Sequence, residues 1–160
     1  KSAILITYFM STSNNQIACV SIIGPDNNPI LIKKCCEESQ NQEIDTLLFC
    51  SLDYFDQPQN PGPKKQSKSS SDRFLGNIQT SDRFQIWGYK ASLGYKIIIL
   101  TVHVTSIPDS SMRTICEKVK DVLFDSLMDP FYQPFALIES PRVISKINEI
   151  AQSLPAPPTV

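Results

Sequence analysis

The stretch Ser110 to Asp129, SSMRTICEKVKDVLFDSLMD, runs into Pro130 to Phe135, PFYQPF, and the rest of the chain is organised around it. Met112, Ile115, Cys116, Val119, Val122, Leu123 and Ser126 recur at three- and four-residue steps. That spacing is one face of an α-helix. Pro108 and Asp109 open it, and Asp109 or Ser110 is expected to cap the first turn. Pro130 closes it, because the residue before a proline is pushed out of the α region. At 1.5 Å per residue the helix runs roughly 30 Å, the width of a small domain, so it is expected to cross a whole sheet.

The opposite face carries Glu117, Asp121, Asp125 and Asp129 in one acidic stripe. Like charges four residues apart repel by roughly 0.2–0.5 kcal/mol per pair. They also crowd the helix C-terminus, where the macrodipole prefers cations. Phe124 and Met128 lie beside the stripe. One reading is a solvated face softened by Lys118 and Lys120, with Phe124 under a neighbouring helix. The other is a surface for another protein.

Beyond the loop, Ser140-Pro141 reads as an N-cap followed by a first-turn proline. Val143, Ile144, Ile147, Ile150, Ala151 and Leu154 then make the apolar stripe of a last helix, ended by Pro155, Pro157 and Pro158. Residues 131 and 132 divide the loop's work: Phe131 is expected to anchor it in the core, and Tyr132 to be the more exposed ring.

Upstream of the long helix the signals are strands. Ile17 to Gly24 (IACVSIIG) and Tyr95 to Val104 (YKIIILTVHV) are almost continuously apolar. Such strands are buried on both faces and should lie side by side mid-sheet. Pro25-Asp26-Asn27-Asn28 is a turn, and Pro29 to Lys33 is the returning strand, placed at an edge by its lysines. Arg73 to Ile78 and Phe84 to Ala91 make two further strands, the second alternating Phe84, Ile86 and Gly88 against Gln85, Trp87 and Tyr89. Ile44, Leu47, Leu48, Ser51, Leu52 and Phe55 mark an earlier helix, closed by Asp53 and Asp56 against its dipole.

The order is therefore β-β-α-β-β-β-α-α. It predicts an α+β fold with a five-stranded antiparallel sheet, one helix on one face and two on the other. Residues 16–154 read as one domain with a disordered insert at 57–72, whose proline, glycine, serine and lysine offer no apolar anchor. Lys64, Lys65 and Lys68 are too few to make it a lipid-binding patch. Residues 155–160 form a Pro-rich tail. Met10 and the polar run after it resemble a native start, so residues 1–15 are expected to be disordered or to begin with a vector-derived leader; a short extra strand is the alternative at 1–9.

Composition narrows the function classes. The 160 residues carry a formal net charge of −1, so no basic excess points to nucleic acid or a membrane surface. Five cysteines with no Cys-x-x-Cys motif suit unpaired thiols in a reducing compartment. Cys19 and Cys116 fall in apolar patterns and read as core; Cys35 and Cys36 read as small strand-end residues. The single histidine, His103, supports neither a His-based metal site nor a His-rich catalytic set. No phosphate-binding glycine loop and no Gly-x-Ser-x-Gly is present. No catalytic residue, cofactor or metal is expected.

Several runs carry a family resemblance. Leu52-Asp53-Tyr54-Phe55-Asp56 resembles the Leu-Asp-x-x-Asp that ends the first helix of sedlin-type subunits of TRAPP vesicle-tethering complexes. Phe84 to Tyr89 (FQIWGY) is similar to their aromatic-Gly-aromatic strand, and Asp129 to Pro134 (DPFYQP) to their Asn-Pro-Phe-Tyr-x-Pro. Phe74-Leu75-Gly76 and the helix from Ser140 to Ile147 fit the sedlin-like branch. The resemblance covers Ile17 to about Ala151, in order and spacing. It departs at the 57–72 insert and at Asp129, where asparagine is usual.

The resemblance implies a longin/profilin-like fold and a non-catalytic adaptor or assembly subunit. Its partners would be other TRAPP subunits and, indirectly, a Rab GTPase whose nucleotide exchange belongs to the assembly. Its place would be cytoplasmic, peripherally associated with Golgi and trans-Golgi membranes through the complex only. Candidate partner-binding residues are Asp53 and Asp56 at the first helix end, and more weakly Glu117, Asp121, Asp125 and Tyr132. The rival is a longin-type regulatory domain or small chain of a SNARE or coat adaptor. A SNARE calls for a heptad helix and anchor downstream, where this sequence ends soon after Leu154.

Overall fold

The computed structural model describes residues 16–57, 73–103 and 106–154. The leader, nearly all of the insert and the Pro-rich tail anticipated above lie outside these residues. Five strands form one antiparallel sheet: β1 (Ile17–Ile23), β2 (Pro29–Lys34), β3 (Phe74–Thr80), β4 (Phe84–Lys90) and β5 (Lys96–Val102). Their spatial order is β2-β1-β5-β4-β3, so the two continuously apolar strands are neighbours, with β5 in the centre. The β1–β5 register runs from Ile17 opposite Thr101 to Ile23 opposite Lys96. All seven residues of β1 are buried, as burial on both faces requires.

Alternation sorts the sheet's side chains into two cores. Phe84 and Ile86 of β4 join Ala18, Cys19, Ile98 and Leu100 under the first helix, α1 (Asn41–Ser51), and the single turn α2 (Asp53–Asp56). Trp87 and Tyr89 face the other way, towards α3 (Asp109–Leu127) and α4 (Pro141–Ala151). The larger core takes Met112, Ile115, Cys116, Val119, Val122 and Leu123 from α3, and Ser126 is buried with them. The stripe read from sequence is therefore the buried face. Ile147 and Ala151 bury the corresponding face of α4.

Polar groups inside the sheet find partners, as low-dielectric burial demands. Ser21 Oγ donates to the Ile98 carbonyl at 3.0 Å, and Trp87 Nε1 donates to Thr101 Oγ1 at 3.0 Å. Gly88 marks where α2 comes closest to β4. A Cβ there would sit 3.1 Å from Phe55 Cζ, so any side chain would push that ring away.

Three expectations need correction. The long helix is capped by Pro108, not Asp109 or Ser110, and the cap makes no side-chain hydrogen bond. Proline already holds the extended backbone that a cap position requires, and the Pro108 carbonyl accepts from Met112 N–H at 3.2 Å. His103, inside the run read as a strand buried on both faces, lies just past β5 and is exposed; its backbone N–H donates to the Arg83 carbonyl at 2.7 Å. The third concerns Phe131 and Tyr132, whose roles are reversed. Phe131 is 92% exposed, whereas Tyr132 packs against the larger core.

The loop explains that reversal. Asp129 Oδ1 accepts the Phe131 N–H at 2.9 Å, and the Asp129 carbonyl accepts the Tyr132 N–H at 3.0 Å. This side-chain-closed turn holds Phe131 at its outer tip. The next ring falls inward, and Tyr can bury its body while its hydroxyl donates to the Ala136 carbonyl at 2.7 Å. Two bonds then fasten the loop to the β1–β2 hairpin: Asn28 Nδ2 to the Phe135 carbonyl at 3.2 Å, and Ile138 N–H to the Ile30 carbonyl at 2.8 Å.

Candidate functional site

Two surfaces carry the residues singled out from sequence. The first is the end of α1 with α2. Leu52 joins the two helices with helical backbone angles (φ −63°, ψ −34°), so α2 continues the path of α1 and places Asp53 and Asp56 at its far end. Asp53 is exposed. Asp56 is engaged: Lys96 Nζ lies 3.2 Å from its Oδ1, with the lysine side chain only 11% exposed. The same ammonium donates to Asn27 Oδ1 and lies 5.9 Å from the Phe55 ring centroid. Lys96 thus ties α2 to the hairpin turn, and Asp56 has a structural task.

Beside Asp53 the helix presents Phe49 and Tyr54, 76% and 38% exposed. Phe49 precedes Asp53 by four residues, so the two share a face. Sequence reading passed over Phe49 because it lies off the Ile44–Leu48–Ser51 stripe. The available signal was a large aromatic residue on the polar side of an amphipathic helix.

The second surface is the outer side of α3. Glu117, Asp121, Asp125 and Asp129 are all exposed along it. Each of the last three has a local partner. Lys120 lies 3.4 Å from Asp121, Lys146 of α4 lies 3.4 Å from Asp125, and Asp129 closes the loop turn. The stripe is therefore softened by Lys120 and by the neighbouring helix. Exposed pairs of this kind contribute about 0–1 kcal/mol each. Phe124 is half-buried. Tyr132 is placed near the stripe's end but mostly by packing; burial, and then Tyr95, push its hydroxyl pKa up.

Four of the five thiols, Cys19, Cys35, Cys36 and Cys116, are wholly or partly buried, which opposes the thiolate form that activates a cysteine. Burial pushes Cys116 up to about 12, reinforced by Glu117, and raises Cys19, Cys35 and Cys36 as well. Among the described residues no three His, Cys, Asp or Glu side chains group as a metal site. No helix among them is long and apolar enough to cross a membrane. What the two surfaces offer is aromatic rings beside carboxylates on amphipathic helices, which suits protein recognition.

A family model described as sedlin matches residues 22–153. The chain belongs to the sedlin family. Similar sedlin-family relatives include a trafficking protein particle complex subunit 2-like protein of Dictyostelium discoideum, 26% identical over 142 residues. That alignment covers 87% of this chain and 99% of the relative. The proteins of the same description from Xenopus tropicalis and Mus musculus are 24% and 23% identical, each over 76% of this chain and 87% of the relative. The sedlin match spans β2 to β5, the last two residues of β1 and both surfaces.

Proposed function

We propose that this sedlin-family protein is a non-catalytic assembly subunit of a trafficking protein particle (TRAPP) complex, and that it works by being bound. The observation that carries the reading is the alignment across 99% of a relative described as a subunit 2-like protein of that complex. The exposed Phe49, Asp53 and Tyr54 face supports it, since exposed rings flanked by charge suit a protein interface. In this reading the partners are other subunits of the complex. Rab nucleotide exchange belongs to the assembly, and the protein meets Golgi membranes peripherally, from the cytoplasm, through that assembly alone.

Asp53 marks the principal contact, with Phe49 and Tyr54 around it. Asp56 supports that face from its Lys96 tether. The second, weaker contact is the outer side of α3, at Glu117, Asp121 and Asp125, with Tyr132 holding the adjoining loop in shape. Affinity purification at native expression level, with identification of what comes down, tests the reading. Subunits of the complex should co-purify. Asp53→Lys should keep the fold and release the protein. Asp121→Lys with Asp125→Lys should weaken binding or change its salt dependence, because rim charges act mainly on encounter and specificity. If both variants stay folded and co-purify as wild type does, neither acidic surface is an interface.

A further inference from the structure

The loop between α3 and α4 borders an open groove of about 560 Å³. Val122 and Ile138 on its wall are buried, and Tyr132 and Val143 are half-buried. Its rim is different: Met128, Phe131 and Leu137 are 74%, 92% and 58% exposed. Single exposed apolar residues are ordinary, but three around one concavity mark a surface that gains by being covered. The Asp129 turn and the two bonds to the hairpin hold this rim in place, which lowers the entropy cost of docking.

Charge specifies the occupant. Asp125, Asp129 and Glu139 line the groove against Arg142 and Lys146. Lys146 already pairs with Asp125, and Asp129, Glu139 and Arg142 have no ion pair among the described residues, which leaves the groove one carboxylate in excess. Asp121 and Glu117 continue the acidic side along α3. We propose that this groove docks a segment of a different protein, carrying large apolar side chains flanked by lysine or arginine. A second copy of this chain, related by a two-fold axis, would set carboxylates against carboxylates. Anionic lipid headgroups would meet the same repulsion. The inference rests on the α3 contact proposed above and names its occupant; its test reads peptide binding by the isolated chain, so it can fail while co-purification with the complex holds.

The test uses the full chain and random peptides displayed on phage, with counter-selection against the double variant Phe131→Glu, Leu137→Glu. Both positions are exposed, so the variant should fold; Met128→Glu serves as a second variant. Enriched peptides should combine apolar and basic residues, bind either variant about tenfold more weakly, and weaken with salt. The proposal is overturned if no peptide distinguishes wild type from the variants, or if the enriched peptides are acidic. It is equally overturned if sedimentation shows self-association that the variants abolish. Sedimentation with phosphatidylserine vesicles that depends on the rim residues would assign the groove to a membrane and also refute it.

Discussion

At the scale of single residues, chemistry decided what hydrophobicity alone did not. Phe131 and Tyr132 are adjacent aromatics in one loop, and the more apolar of the two is outside. The difference lies in the Asp129 carboxylate capturing the Phe131 N–H and in the tyrosine hydroxyl finding the Ala136 carbonyl. Phe131→Ala should accordingly change stability by less than about 0.5 kcal/mol, as surface substitutions do. Tyr132→Phe should cost about 1 kcal/mol, the net worth of a hydrogen bond. Urea unfolding of both variants checks the order. Cys116 carries a pH prediction. Its thiol has an ordinary value of 9.0 and is raised to about 12 by burial in the folded chain. The unfolded chain ionises first, so this contribution to stability is intact below pH 9 and falls away as pH rises from about 9 towards 12. Cys116→Ala should flatten the alkaline limb of a stability–pH curve; an unchanged limb would assign the loss to other groups.

Among the elements, the termini of the two long helices differ from the usual pattern. Ser140 occupies the N-cap of α4 with extended backbone, followed by Pro141, yet its side chain makes no capping bond. A serine cap removed to alanine usually costs about 1 kcal/mol. Here Ser140→Ala should cost only a few tenths of that, measured by thermal unfolding. A loss near the usual value would mean that the hydroxyl does cap in solution. The acidic stripe of α3 shows the reverse situation, in which local physics predicts a cost and neighbouring elements reduce it. Lys146 reaches Asp125 from α4, a pairing that no helical periodicity within α3 could reveal. Sequence reading found Lys118 and Lys120 because they share the helix, and missed Lys146 because it arrives through tertiary packing.

Across the whole molecule, the long periodic elements were legible and the connections between them were not. β1 and β5 announce burial on both faces by continuous apolar runs, which places them together mid-sheet. The seven inward positions of α3 are the ones its spacing indicates. The loop after α3 was misread because its shape depends on Asn28 and Ile30, about a hundred positions earlier in the chain. Phe49 was missed for another reason: recognition surfaces break the amphipathic rule that makes a helix readable. Among the described residues the two sides of the sheet are also unequally covered, with α1 and α2 on one face and α3 with α4 on the other. This asymmetry should make α1 and α2 the looser lid. Amides of α1 should exchange with deuterium through a partial opening below the free energy of global unfolding, while those of β1 and β5 should exchange only through the global event. Since Phe49, Asp53 and Tyr54 ride on that lid, a partner seated there would act as a latch, and the protection it confers should spread to amides it never touches. Leu48→Ala, on the buried underside, should cost about 2–5 kcal/mol of lid or global stability. It should weaken docking while leaving every contact residue in place, so that partner affinity becomes a gauge of how often the lid is ajar.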